Sequence, residues 1–177
     1  HQHNESEAAQ AVVQRLQQGQ RIAYASDAGT PAVSDPGARL VAAVRAAGLR
    51  VVPLPGASSI TAALSAAGSV AHDSASGFVF AGLLPNKTGE RETAVQALAG
   101  ESRAVVLLEA PHRMEALARA LSVLGPRPVT VAREITKQFE EIATLACDGL
   151  TAWLGADPQR LRGEFAVVLH AVADAPK

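Results

Sequence analysis

The chain has 177 residues, enough to bury a substantial core in one domain or two small ones. Sixteen Lys and Arg against seventeen Asp and Glu leave a net charge of −1, so a nucleic-acid partner would need a local basic patch. The single cysteine, Cys147, excludes an internal disulfide and a multi-cysteine metal site and points to a reducing, cytoplasmic setting. No apolar run reaches the roughly 18 residues of a membrane span.

The chain opens on "HQHNE" without an initiator Met, which reads as a piece of a longer protein. Asn4 is placed to cap a first helix, with Glu7 at the third position and Ala9, Val12, Val13 and Leu16 as its apolar stripe. Gly19 closes it, and "RIAYAS" (21–26) follows as a buried strand. Asp35 before Pro36 is a helix start, because the carboxylate caps free N–H groups and Pro suits the first turn. Leu40, Val41, Val44 and Ala47 line that helix and Gly48 ends it. "LRVVPLPG" (49–56) is the next strand and "ASSITAALSAAG" (57–68) the next helix. This alternation predicts an α/β fold with a parallel sheet and crossover helices.

"GSVAHDSASG" (68–77) is small, polar and aperiodic, and marks a boundary between domains at 1–73 and 74–177. Beyond it strands are expected at Phe78–Leu83, Ala104–Glu109, Pro128–Glu134, Glu140–Leu145 and Glu164–Ala171. Helices are expected near Glu90–Leu98, Met114–Leu124 and Gly149–Leu154. Two consecutive strands with no helix between them make the second sheet mixed.

Three loops follow strand carboxyl ends: "SDAGTP" (26–31), "PGASS" (55–59) and "EAPHR" (109–113). In open α/β sheets the ligand crevice lies outside those ends, so the three loops are expected to face one cleft. Asp27 would accept hydrogen bonds, Gly29 would admit a ligand to the backbone, and Thr30 adds a polar contact. Ser58 and Ser59 sit at a helix start whose unpaired N–H groups suit a carboxylate, a phosphate or an adenine edge. Each piece is also ordinary turn or cap chemistry, and Asp35 reads as a cap rather than a ligand contact. No Gly-x-Gly-x-x-Gly or Walker lysine pattern is present, and no Gly-x-Ser-x-Gly elbow supports a hydrolase. His1 and His3 alternate like metal ligands but have no third partner at a convincing spacing, so no metal is expected.

"EAPHR" breaks a local rule. It puts His112 and Arg113 in the first turn of a helix, where a cation costs about 0.3–1 kcal/mol. Either Arg113 pairs with Glu109 or Glu115, or an anionic ligand compensates it. "REITK" adds Arg133, Glu134 and Lys137 at a strand end, and "NKTGER" adds Lys87 and Arg91. Singly these are solvated side chains; together they would form a discontinuous basic rim.

Taken in order, "HNE", "SDAGTPAVSDPG", "VPLPGASS", "EAPHR", "AREITKQFEE" and "GEFAVVL" resemble the ribosomal RNA small subunit methyltransferase I family of tetrapyrrole-methylase-like methyltransferases. The resemblance implies two α/β domains, S-adenosyl-L-methionine in the cleft between them, and a homodimer. It also implies 2′-O-methylation of a cytidine ribose in small-subunit ribosomal RNA, with no membrane partner. Carried over by motif, Asp27, Gly29, Thr30, Ser58, Ser59, Glu109 and Ala110 would hold the cofactor. Lys87, Arg113, Arg133 and Lys137 would meet RNA, and Asp27, Glu109, His112 and Glu134 are candidate bases. Family members carry a strand and a glycine-containing loop before "HNE" and a tail after the last strand. Neither corresponds to anything in these residues. The alternatives are a porphyrinoid methylase and a non-catalytic adenosine-binding or dimerisation module.

Overall fold

The structure, a computed structural model, describes residues 2–68 and 77–172. The chain divides into two compact units, His1–Ser58 and Ser59–Lys177. The boundary expected from sequence centres on residues 69–76, which lie outside the described residues.

In the first unit α1 spans Gln2–Gln17 and α2 spans Ala38–Ala46. Helix α1 starts before Asn4, so Asn4 is an interior residue and not the cap. It ends as expected at Gly19: the N–H of Gln20 returns to Arg15 O (3.1 Å) and that of Gly19 to Leu16 O (2.9 Å). Asp35 does not cap α2. The cap is Gly37, at φ 126°, because the "SDPG" turn delays the helix past Pro36. A Cβ at residue 37 would lie 2.7 Å from the Tyr24 ring, so glycine is required by close approach as well as by φ.

The expected strands at 21–26 and 49–56 do not form, and the described residues of this unit contain no strand. Ile22, Tyr24, Val52 and Leu54 are exposed, Leu54 to 83%. A strand exists only by pairing its backbone with a neighbour, and here neither segment enters a ladder. The parallel sheet expected of the first domain is therefore not formed by these residues.

The second unit follows the sequence closely. Its described residues form a mixed sheet of β1 (Phe78–Gly82), β2 (Ala104–Glu109), β3 (Pro128–Arg133), β4 (Glu141–Ala146) and β5 (Phe165–Leu169), in the order β1-β2-β5-β3-β4. β1 and β2 are parallel, whereas β5 runs antiparallel to both β2 and β3, and β4 is antiparallel to β3. The central strands β2 and β5 are apolar runs because both their faces are covered. One face packs on α5 (Pro111–Leu121) and α6 (Leu150–Gly155) through Leu107, Leu117, Leu121, Leu150 and Leu169. The other meets α3 (Ser59–Ala67) through Ile60, Ala63, Ala104, Ala132 and Ala166. Helix α4 (Thr88–Ala99) bridges β1 and β2 in sequence.

A buried cation holds this unit together. Arg127 donates from Nε to His170 O (2.9 Å), from Nη1 to Leu98 O (2.9 Å) and from Nη2 to Glu101 O (3.2 Å) and Arg103 O (3.4 Å). Cys147 packs beside it, and burial pushes the thiol up to about 11, leaving it unreactive near neutrality.

His170 places Nε2 2.7 Å from Thr130 Oγ1, which is itself 2.7 Å from Thr144 Oγ1. Burial, and then the nearby Arg127 charge, lower its pKa from 6.5. The unfolded chain therefore binds the proton first as pH falls, and the folded state loses stability below about pH 6.5. Melting temperatures measured from pH 8 to pH 5 are expected to fall less for His170→Gln than for the parent. Parallel curves would show that this histidine does not report on stability.

Candidate functional site

The two loops read from the first half are tied to each other. Thr30 Oγ1 donates to Ala57 O at 3.1 Å, across 27 residues of sequence, and Ser26 Oγ closes on Ala28 O at 3.0 Å. "SDAGTP" is thus tied to Ala57 of "PGASS" within the first unit. Ala32 (φ 67°) and Ser34 (φ 58°) adopt left-handed backbone just after the first loop, a strain that recurs beside functional sites. Asp27 is exposed. Ser58 is half-buried at the end of this unit, and Ser59 opens α3, as the sequence predicts.

In the second unit the carboxyl ends of β1, β2 and β3 share one end of the sheet, since β2 and β3 are both antiparallel to β5. Glu109 ends β2, Ala110 caps α5 and Pro111 takes its first turn. Glu109 is 4% exposed. Its Oε1 accepts the Ala110 N–H at 2.9 Å and lies 2.9 Å from Arg113 Nε. Arg113 Nη2 donates to Leu84 O. The anion that compensates Arg113 is internal, so the external anion considered from sequence is not needed. A guanidinium this enclosed is also poorly placed to meet RNA. His112 lies exposed in the same turn.

Arg133 likewise faces inward. It is 7% exposed and reaches Arg162 O (3.3 Å) and Glu141 Oε2 (3.4 Å), which corrects its reading as part of a basic rim. Lys137 lies between Glu134 Oε1 (2.9 Å) and Glu164 Oε2 (3.0 Å). Glu134 Oε1 also accepts the Glu164 N–H at 2.9 Å. The bond from Lys137, then that backbone donor, lowers the Glu134 pKa, so its carboxylate is a weak proton acceptor. Lys87 is open, 82% exposed and paired only across one helical turn with Glu90 at 3.0 Å. Arg91 is buried, bonded to the carbonyls of Pro85 and Asn86.

Sequence reasoning missed Arg160. It binds Glu141 Oε1 at 2.9 Å and stacks 4.2 Å from the Trp153 ring centre, which extends the charge row at this end of the sheet. Among the described residues Glu109 Oε2 and Arg133 Nε are buried with no hydrogen-bond partner, and Arg113 Nε is buried with only its 2.9 Å ion pair to Glu109 Oε1. All three belong to "EAPHR" and "REITK", at the carboxyl ends of β2 and β3. Unpaired buried polar atoms are costly and rare, and their concentration here marks the end of the sheet suited to a ligand.

A family model described as Tetrapyrrole (Corrin/Porphyrin) Methylases matches residues 1–148. The chain belongs to the tetrapyrrole methylase family. Within that family it resembles proteins named ribosomal RNA small subunit methyltransferase I. It is 44% identical over 177 residues to the one from Vibrio cholerae, covering 99% of this chain and 60% of that protein. The protein of that name from Pasteurella multocida is 46% identical over 172 residues, covering 96% and 60%. The chain thus spans about 60% of the length of these relatives.

Among solved structures the methylase fold recurs in the methyltransferase CobJ, at TM-score 0.66 and 22% identity, covering 98% of this chain and 74% of that one. It recurs in uroporphyrin-III C-methyltransferase from Thermus thermophilus complexed with S-adenosyl homocysteine, at TM-score 0.59 and 17% identity, covering 93% and 73%. Among the described residues no helix is long and apolar enough to cross a membrane, and no three His, Cys, Asp or Glu are grouped to hold a metal ion.

Proposed function

We propose that the protein transfers a methyl group from S-adenosylmethionine to the ribose 2′-hydroxyl of a cytidine in small-subunit ribosomal RNA, in the cytoplasm and as a homodimer. The observation that carries this reading is the identity of 44% and 46%, along nearly the whole chain, to proteins named for that RNA. A porphyrinoid substrate would rest on structural neighbours at 22% and 17% identity, which share the fold. The domains at 1–73 and 74–177 are part of the same reading.

The residues present suit such a methyl donor. Its amine, ribose hydroxyls and adenine edge are hydrogen-bond donors, and both Asp27 and Glu109 Oε2 are acceptors with capacity to spare. Gly29, Thr30, Ser58, Ser59 and Ala110 complete the proposed contacts, with Thr30 holding the two loops together. S-adenosylmethionine, when bound, supplies an electrophilic methyl group on a sulfonium centre. The protein must then hold the ribose oxygen about 3 Å from that carbon and take up its proton. Glu134 is too well bonded for that work, which leaves Asp27, Glu109 and His112 as bases. Lys87 and Lys137 are the cations placed to meet RNA, Lys137 by exchanging a carboxylate for a phosphate.

The test is transfer of labelled methyl to small ribosomal subunits, beside calorimetry with S-adenosylhomocysteine. Asp27→Ala is expected to weaken binding by about 1.5–3 kcal/mol, the loss of a charged hydrogen-bond acceptor. Label appearing on a base rather than a ribose would refute the 2′-hydroxyl assignment. Unchanged affinity in a folded Asp27→Ala variant would remove Asp27 from the site.

A further inference from the structure

We propose that Arg113 is a positioning residue for methyl-donor binding. It holds Glu109 so that Oε2 stays free, inside the fold, to accept a hydrogen bond from an N–H or O–H of the bound donor. This rests on the function proposed above and adds a residue to that site.

The two oxygens of Glu109 are used unequally. Oε1 is engaged by the Ala110 N–H and by Arg113, whereas Oε2 is buried with no partner. A carboxylate oxygen left in this way is unfavourable until a donor reaches it. The Ala110 N–H and the Arg113 guanidinium both act on Oε1 and leave Oε2 to a ligand. Arg113 sits four residues on, in the first turn of α5, with its side chain 14% exposed. Its other end is fixed on Leu84 O, just beyond β1. One guanidinium therefore ties the carboxyl ends of the parallel strands β1 and β2, where ligands of open α/β sheets bind. The positive end of α5 adds its field to keep the Glu109 carboxylate in place.

The experiment compares the parent protein with Arg113→Gln, Arg113→Lys, Glu109→Gln and the Glu109→Gln/Arg113→Gln pair. Folding is checked by circular dichroism. S-adenosylhomocysteine affinity is measured by calorimetry, and KM is measured separately for the methyl donor and for small ribosomal subunits. Arg113→Gln is expected to lower affinity by about tenfold and to raise the KM of the donor, leaving the KM of the subunit unchanged. Arg113→Lys should recover part of the loss. The double variant should bind like Glu109→Gln alone, because Arg113 acts through Glu109.

Additive losses would overturn the inference, as would a change confined to the KM of the subunit, which would make Arg113 an RNA contact. If Arg113→Gln does not fold, Arg113→Lys in the two Glu109 backgrounds decides the same question. A parent protein that binds no S-adenosylhomocysteine would overturn the proposed function and this inference with it. Binding by the parent that Arg113→Gln leaves intact would overturn this inference alone.

Discussion

Arg127→Ala is expected to destabilise the protein by about 3–5 kcal/mol, the largest loss foreseen from a single substitution here. The side chain is 8% exposed and serves carbonyls from the end of α4, the approach to β2 and the residue after β5. Truncation takes the side-chain donor from the Glu101, Arg103 and His170 carbonyls, leaves Leu98 O to backbone N–H groups, and empties the space of the guanidinium. Lysine should rescue little, because its single ammonium cannot span carbonyls that a planar fork reaches together. Urea unfolding followed by circular dichroism measures the effect. A loss below about 1 kcal/mol would show that water replaces the guanidinium at no great cost.

Gly163→Ala should cost about 2–4 kcal/mol. Gly163 has φ 87°, and an added Cβ would fall 2.4 Å from Glu134 Cγ and 2.6 Å from its Oε1. The methyl group would evict the carboxylate that binds Lys137 and the Glu164 N–H, so backbone strain and lost hydrogen bonds add. Glu134→Ala in the same protein makes room for the methyl. The double variant should therefore lose less than the two single losses together. Strict additivity in urea melts would mean that the clash relaxes by another route.

The strands and helices of the second unit could be read from sequence because their signals are local. "AVVLLE" is apolar up to its final Glu109 and bounded by "GESR" and a proline, and β2 occupies those residues, Ala104–Glu109. "RIAYAS" carries the same kind of signal and forms no strand. Pairing is a property of the neighbour, and an apolar run does not say whether a neighbour is in place. Capping failed at Asp35 for a related reason: the residue type was right, but two left-handed residues, Ser34 and Gly37, moved the helix start.

At the site, sequence showed where charges stand along the chain but not which way they point. Arg113 and Arg133 looked like a rim and turned inward, Arg113 to Glu109 four residues before it and Arg133 to Glu141, which faces it on β4. Arg127 had no legible signal at all. Its partners are backbone carbonyls, which every residue type carries.

The two coats on the sheet differ in thickness. On one side Leu107, Met114, Leu117, Leu121, Leu150 and Leu154 are buried almost completely, while the buried residues of the α3 side are Ile60, two valines and four alanines. At about 25 cal/mol for each Å² removed from water, a buried Leu contributes far more than a buried Ala. The nine residues of α3 are therefore held by the weaker layer. Their amides can exchange with solvent through a local opening that costs less than global unfolding, while those of α5 wait for the whole core to part. The fold breathes on its alanine side.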